Sequence, residues 1–216
     1  MRLPCFSFLA ATVLLSGCSF LTTENPDPNH THADFAVWIG GKQLNFSDEV
    51  YMSGSSKAEE EGEHPHTHLH PYLHLHDSNG NVAHRHKPGL TFGDFLTSLG
   101  FRLDPSSSVL CFDPADGART CWHTTDTDDW RFFVNGKEAA ACGPTEDCPH
   151  PFLVAWTYVF ADEDAVLLTY KASDDEAEKE LKQMTNDACL YSQTCPWRGK
   201  PPAESCIADP TVPCTQ

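Results

Sequence analysis

The sequence predicts an α+β fold: a mixed sheet of hairpins with one short packed helix, then a C-terminal helix and a disulfide-stapled tail. Three observations predict it. Short runs of alternating apolar residues, separated by glycine-, asparagine- and aspartate-rich turns, read as strands. Only residues 91–99 and 172–190 carry helical spacing of apolar residues. The chain ends in a proline- and cysteine-rich stretch with little apolar content, which needs cross-links to hold a shape.

Taken in order, residues 32–46 read as a hairpin. Phe35, Val37 and Ile39 alternate, Gly40-Gly41 turns the chain, and Leu44 and Phe46 alternate again. Residues 53–63 have no apolar periodicity and read as a loop. Residues 72–76 and 82–86 read as paired strands. Residues 91–99 read as a helix with Thr91 as N-cap and Asp94 at the capping-box position, and Gly100 as its C-terminal stop. Residues 109–122 read as a hairpin with its tip at 113–117, and residues 130–134 as a strand running into an Asn135-Gly136 turn. Residues 152–160 and 165–170 read as two further strands joined by Asp162-Glu163-Asp164. Residues 172–190 read as one helix, with Asp174, Asp175 and Glu176 suiting its dipole and Ala177, Leu181, Met184 and Ala188 on one face.

The 216-residue chain is acidic, with a formal charge of −17. That charge argues against nucleic acid and against electrostatic attraction to anionic lipid, and favours cations. The first residues combine Arg2 with an apolar stretch, 3–15, too short to span a bilayer. Leu15-Ser16-Gly17-Cys18 resembles the lipobox of bacterial lipoproteins. The resemblance implies cleavage before Cys18, acylation of its thiol and a membrane-anchored protein facing the periplasm or cell exterior, with residues 18–29 as tether. Cys5 then leaves with the signal. The remaining Cys111, Cys121, Cys142, Cys148, Cys189, Cys195, Cys206 and Cys214 are an even set, as expected of disulfides in an exported chain. Nearest-neighbour pairing is the simplest arrangement. No C-x-x-C spacing occurs among these eight, which argues against thioredoxin-type chemistry.

The histidines carry the functional signal. From His64 to His76 every even position is His except Tyr72, and His84 and His86 continue the parity past a turn. Alternate side chains of a strand share a face, so each H-x-H pair offers two ligands on one side. The pairs are His30/His32, His74/His76 and His84/His86; they are the candidate metal ligands. His64, His66, His68 and His70 follow a glutamate-rich loop, are interrupted by prolines, and form either a candidate accessory metal-binding arm or a merely polar stretch. A three- or five-residue turn places His74 opposite His84, whereas a two-residue Asn79-Gly80 turn separates the rings. Neutral imidazole suits zinc first, with copper(II) and nickel close behind. Asp77 is a turn residue or a group orienting an imidazole.

Residues 91–171, with FFVNGKEA and FADEDAVLLTY in order, resemble the transcobalamin-like β-grasp domains of cell-surface proteins, in which a VNG hairpin and a DGD turn recur. Asp162-Glu163-Asp164 departs from the second motif. The histidine pairs, the Phe92-Gly93-Asp94-Phe95 helix and the CPWRGKPPAESC tail together look like a group of exported, histidine-rich proteins of candidate-phylum bacteria and archaea. The implied division is a signal over 1–17, a tether over 18–29, a histidine-rich region over 30–90, a β-grasp-like region over 91–171 and a helix with tail over 172–216.

Four functions fit the sequence: metal capture, buffering or sensing; a zinc enzyme with three histidine ligands; a β-grasp interaction module displaying Trp122, Trp130, Trp156 and Trp197; and a thiol-disulfide protein. Metal binding without catalysis leads. Glu63, Asp77 and Asp94 are the candidate bases of the zinc-enzyme reading. No protein partner is indicated.

Overall fold

A computed structural model describes residues 30–52, 70, 72–104, 109–114, 117–125, 129–139 and 151–201. The fold is α+β, with two sheets. The larger takes β1 (Thr31–Ile39), β2 (Lys42–Gln43), β3 (Leu73–His74), β4 (Val82–Arg85), β8 (Trp130–Val134), β9 (Lys137–Glu138) and β10 (Asp164–Tyr170). Its order is β3-β4-β1-β10-β8-β9, with β2 also on β1. The smaller sheet is β5 (Phe101–Asp104), β6 (Val109–Phe112) and β7 (Thr120–His123). The helices are α1 (Phe92–Ser98), α2 (Pro151–Thr157), α3 (Asp174–Leu181) and α4 (Ala188–Tyr191).

The centre of the large sheet is parallel: β1 runs beside β10 over seven pairs from Ala33↔Asp164 to Ile39↔Tyr170. Every other pairing in the sheet is antiparallel. The larger sheet is therefore mixed, with the first and last strands of its described residues parallel at its centre. Parallel strands are covered on both faces, and β1 is buried accordingly from Thr31 to Trp38. Its odd residues Ala33, Phe35 and Val37 join the main core with Leu73, Leu75, Trp130, Phe132, Val166 and Leu168, beneath α1, α2 and the small sheet. Its even residues face the other way, where Ala36 and Trp38 pack with Ala177 of α3.

The sequence elements hold in most places. Gly40 and Gly41 take φ of 55° and 77° in the β1–β2 turn, a region other residues enter at a cost. Thr91 and Asp94 form a full capping box on α1. Cys111 and Cys121 are opposed in register and bonded; Cys189 and Cys195 form the second disulfide. Cys142, Cys148, Cys206, Cys214, the loop over 53–63 and the lipobox lie outside the described residues. The Asn135 hairpin and the aspartate turn are joined directly: Asn135 Nδ2 donates to Asp164 Oδ1 at 2.8 Å, and Ala165 N donates to Asn135 Oδ1 at 2.9 Å.

Two expectations are corrected. Residues 152–160 are not a strand: Pro151–Thr157 is helical, and 158–160 are neither helix nor strand. An unbroken apolar run does not separate a buried strand from a helix. Here Pro151 presets the first turn, and Phe152 and Ala155, one turn apart, both enter the core. The single helix over 172–190 is broken. The chain leaves α3 at Lys182, which caps it, and re-enters helix at Ala188. Ala177 and Ala188 therefore belong to different apolar clusters. The break frees the backbone of 185–188 to reach β1.

Gly93 shows how tightly α1 meets α2. A Cβ there would meet the carbonyl oxygen of Trp156 and lie 2.6 Å from its Cγ. Backbone and indole cannot both yield, so Gly93→Ala should destabilise the fold by about 2 kcal/mol despite alanine's better helix propensity. Thermal melting should show Tm lower by roughly 4–8 °C.

Candidate metal centre

Three adjacent strands bring the six histidines together. In the β3–β4–β1 stack, His74 lies opposite His84 and His84 opposite His32. Directly opposed residues on one face have Cβ atoms about 5 Å apart. Because side chains alternate, His30 and His86 project on the same face as His32 and His84. The turn over 77–81 delivers the register that opposes His74 to His84, with Asn79 N donating to His76 O at 2.8 Å.

Two triads have their ligand atoms within 4.8 Å of one another: His30, His32 and His84; and His74, His76 and His86. Strand β4 thus leads into both. Within the first, ring centroids are 4.4 Å apart for His30–His32 and 4.8 Å for His32–His84. Within the second, they are 4.5 Å for His74–His76 and 4.6 Å for His74–His86. Cross-triad neighbours are as near, with His30–His86 at 3.9 Å and His76–His84 at 4.3 Å. His32, His74, His76 and His84 are buried; His30 and His86 are half-buried and form the open edge.

The buried end is capped by α4. Tyr191 lies 4.7 Å from His84 and 5.7 Å from His32, centroid to centroid. Asp34, the next residue after His32 on the same face of β1, anchors this cap. It accepts from Thr185 Oγ1 at 2.6 Å, Asp187 N at 2.8 Å and Ala188 N at 3.1 Å. Burial raises the Asp34 carboxyl above its ordinary value; the hydrogen bonds from Thr185, Ala188 and Asp187 oppose the rise without cancelling it.

A second carboxylate orients His32. Ser192 Oγ donates to Asp162 Oδ1 at 2.7 Å. With that proton committed, the 2.8 Å contact between His32 Nδ1 and Ser192 Oγ has the ring donating. A neutral His32 then holds its lone pair on Nε2, the tautomer a metal requires. Asp162 also accepts from the His32 backbone N–H at 2.9 Å. Burial pushes the Asp162 carboxyl up, but the hydrogen bonds from His32 and Ser192 outweigh it and hold it below its ordinary value. Asp162→Ala should therefore weaken metal held through His32 by about tenfold to a hundredfold in chelator competition. Asp162→Asn keeps an acceptor oxygen for Ser192 and should recover most of the loss.

The other expected site residues fall elsewhere. His70 Nδ1 accepts from Tyr72 N at 3.1 Å and belongs to neither triad; burial lowers its pKa. His64, His66, His68 and Glu63 lie outside the described residues. Asp77 occupies the turn with φ of 56°, and Asp94 is bonded to Thr91 at the head of α1. Trp122, Trp130 and Trp156 pack in or against the main core, while Trp197 is 80% exposed, so the four do not share a surface. Asp162 and Ser192 were not identified as site residues from the sequence; Asp162 stood out only as part of a turn. Among the described residues no helix is long and apolar enough to cross a membrane. No protein-family model, curated protein or solved structure matches this chain.

Proposed function

We propose that this chain is a lipid-anchored, extracytoplasmic protein that captures, buffers or senses a divalent transition metal through His30, His32, His74, His76, His84 and His86. The observation that carries the reading is the convergence of three H-x-H pairs into two triads on one buried sheet face. Zinc leads as the ion, with copper(II) and nickel served by the same all-imidazole donor set. Disulfides within the chain suit an oxidising compartment outside the cytoplasm. Acylation of Cys18 would hold the protein at a membrane, and residues 19–29 would let the domain stand clear of it.

Coordination requires neutral imidazole, whose ordinary pKa is about 6.5. Protons therefore compete with the ion, and affinity should fall as pH drops through roughly 6.5 and below. The test is equilibrium dialysis of untagged protein against zinc over a pH series. Tight binding at neutral pH that is lost on acidification supports the reading. An absence of tight binding at neutral pH, or binding indifferent to pH, rejects it.

A zinc enzyme is the second reading. Three imidazoles per ion leave a coordination position for water. Of its expected bases, Asp94 is engaged in capping and Asp77 in a turn. Asp162 is a positioning group for His32. An exchangeable water on the bound metal, together with turnover of a model ester, would favour this reading over capture alone.

A further inference from the structure

We infer that the two triads are the halves of one dinuclear centre, closed by a small oxyanion from solvent, of the carbonate class, that bridges the two ions. This deepens the metal-binding reading and rests on it. The geometry argues for a joint site. Rings of different triads, His30 with His86 and His76 with His84, are 3.9 and 4.3 Å apart, no farther than rings within a triad. His84, in β4, and His86, just past its end, serve different triads. Two ions seated in them are separated by about one inter-strand spacing, on the order of 5 Å.

The charge balance then names the missing ligand. All six protein donors are neutral in the coordinating state. Two dipositive ions about 5 Å apart repel each other strongly in a partly buried site. Asp162 is bonded into the first triad through Ser192 and reaches one ion only. An anion between the ions offsets the repulsion from both sides and fills the position each triad leaves open. A single hydroxide oxygen, with metal–oxygen bonds of about 2 Å, does not reach across that gap, whereas a three-atom oxyanion such as bicarbonate, giving up its proton to solvent, does so with no redox change. Access runs past the half-buried rings of His30 and His86, because Tyr191 and Ser192 cover the other end. Small oxyanions that span two metals are the class of exogenous ligand this centre would take.

Copper(II) is the probe, because a bridged pair couples its spins. The full chain is stripped of metal, with His64, His66, His68 and His70 replaced by Ala so that the accessory arm does not contribute. It is titrated with copper(II) in bicarbonate buffer, and loosely held ion is removed with glycine. The expected result is two tightly held ions per chain and an integrated electron paramagnetic resonance signal far below the copper content. His76→Ala, which breaks one triad, should halve the copper and restore the full signal of a single ion. Two ions with full, uncoupled intensity, or saturation at one ion, would overturn the dinuclear centre and leave metal binding standing. No tight copper at all would overturn the metal reading itself.

Discussion

Replacing His74 and His84 together by alanine abolishes tight metal binding. The pair removes one ligand from each triad, and a two-imidazole remnant has neither the donors nor the rigidity to hold an ion against water. Losing a group that only orients a ligand costs about tenfold to a hundredfold in affinity; losing the ligand itself should cost more than about a hundredfold at each triad. Chelator competition measures the loss, and circular dichroism of the metal-free variant checks the fold. Both rings are buried and opposed in the sheet, so His74→Gln with His84→Gln serves as a second variant that fills more of the space. Unchanged affinity in a folded double variant would reject the site.

Asp34→Ala should have the largest effect on stability. Its carboxylate is the shared acceptor for Thr185, Asp187 and Ala188, and buried donors left without an acceptor cost about 1–3 kcal/mol each. The cap can swing out and rehydrate some of them, which limits the total to about 3 kcal/mol, or a Tm fall of roughly 6–12 °C. The disulfide Cys189–Cys195 does not compensate, because it joins residues only six positions apart within the cap and never reaches β1. Hydrogen exchange should show residues 185–192 losing protection before the sheet does. The pH dependence has a definite sign. A carboxyl raised on folding contributes most at low pH and less as pH rises through its folded value. The penalty of Asp34→Ala should therefore be at least as large near about pH 4 as near about pH 7. A penalty that vanishes on acidification would contradict the burial of this group.

Much of the site was legible because a strand repeats every two residues. The even parity of His30/His32, His74/His76 and His84/His86 was enough to place each pair on one face, but the turn left the register open, and strand pairing decided that His74 opposes His84. Capping at Thr91 and the Asn135-Gly136 hairpin were legible for the same reason: each depends on atoms a few residues apart. The run over 152–160 was misread because an apolar stretch carries no period when every side of it is greasy. Packing against α1 decided it, through Phe152 and Ala155.

By itself, then, the sequence determined which rings share a face and where the glycine- and asparagine-marked turns fall, and it offered Cys111 with Cys121 and Cys189 with Cys195 as the simplest pairing. Only the tertiary structure decided that β1 lies beside β4, which carries His30 and His32 to rings more than fifty positions away. It also decided that Asp34, Asp162, Tyr191 and Ser192 close around them. The reason is physical: alternation is set by backbone geometry within one strand, whereas the choice of neighbouring strand and cap is made by burying apolar faces and pairing polar groups across the whole chain.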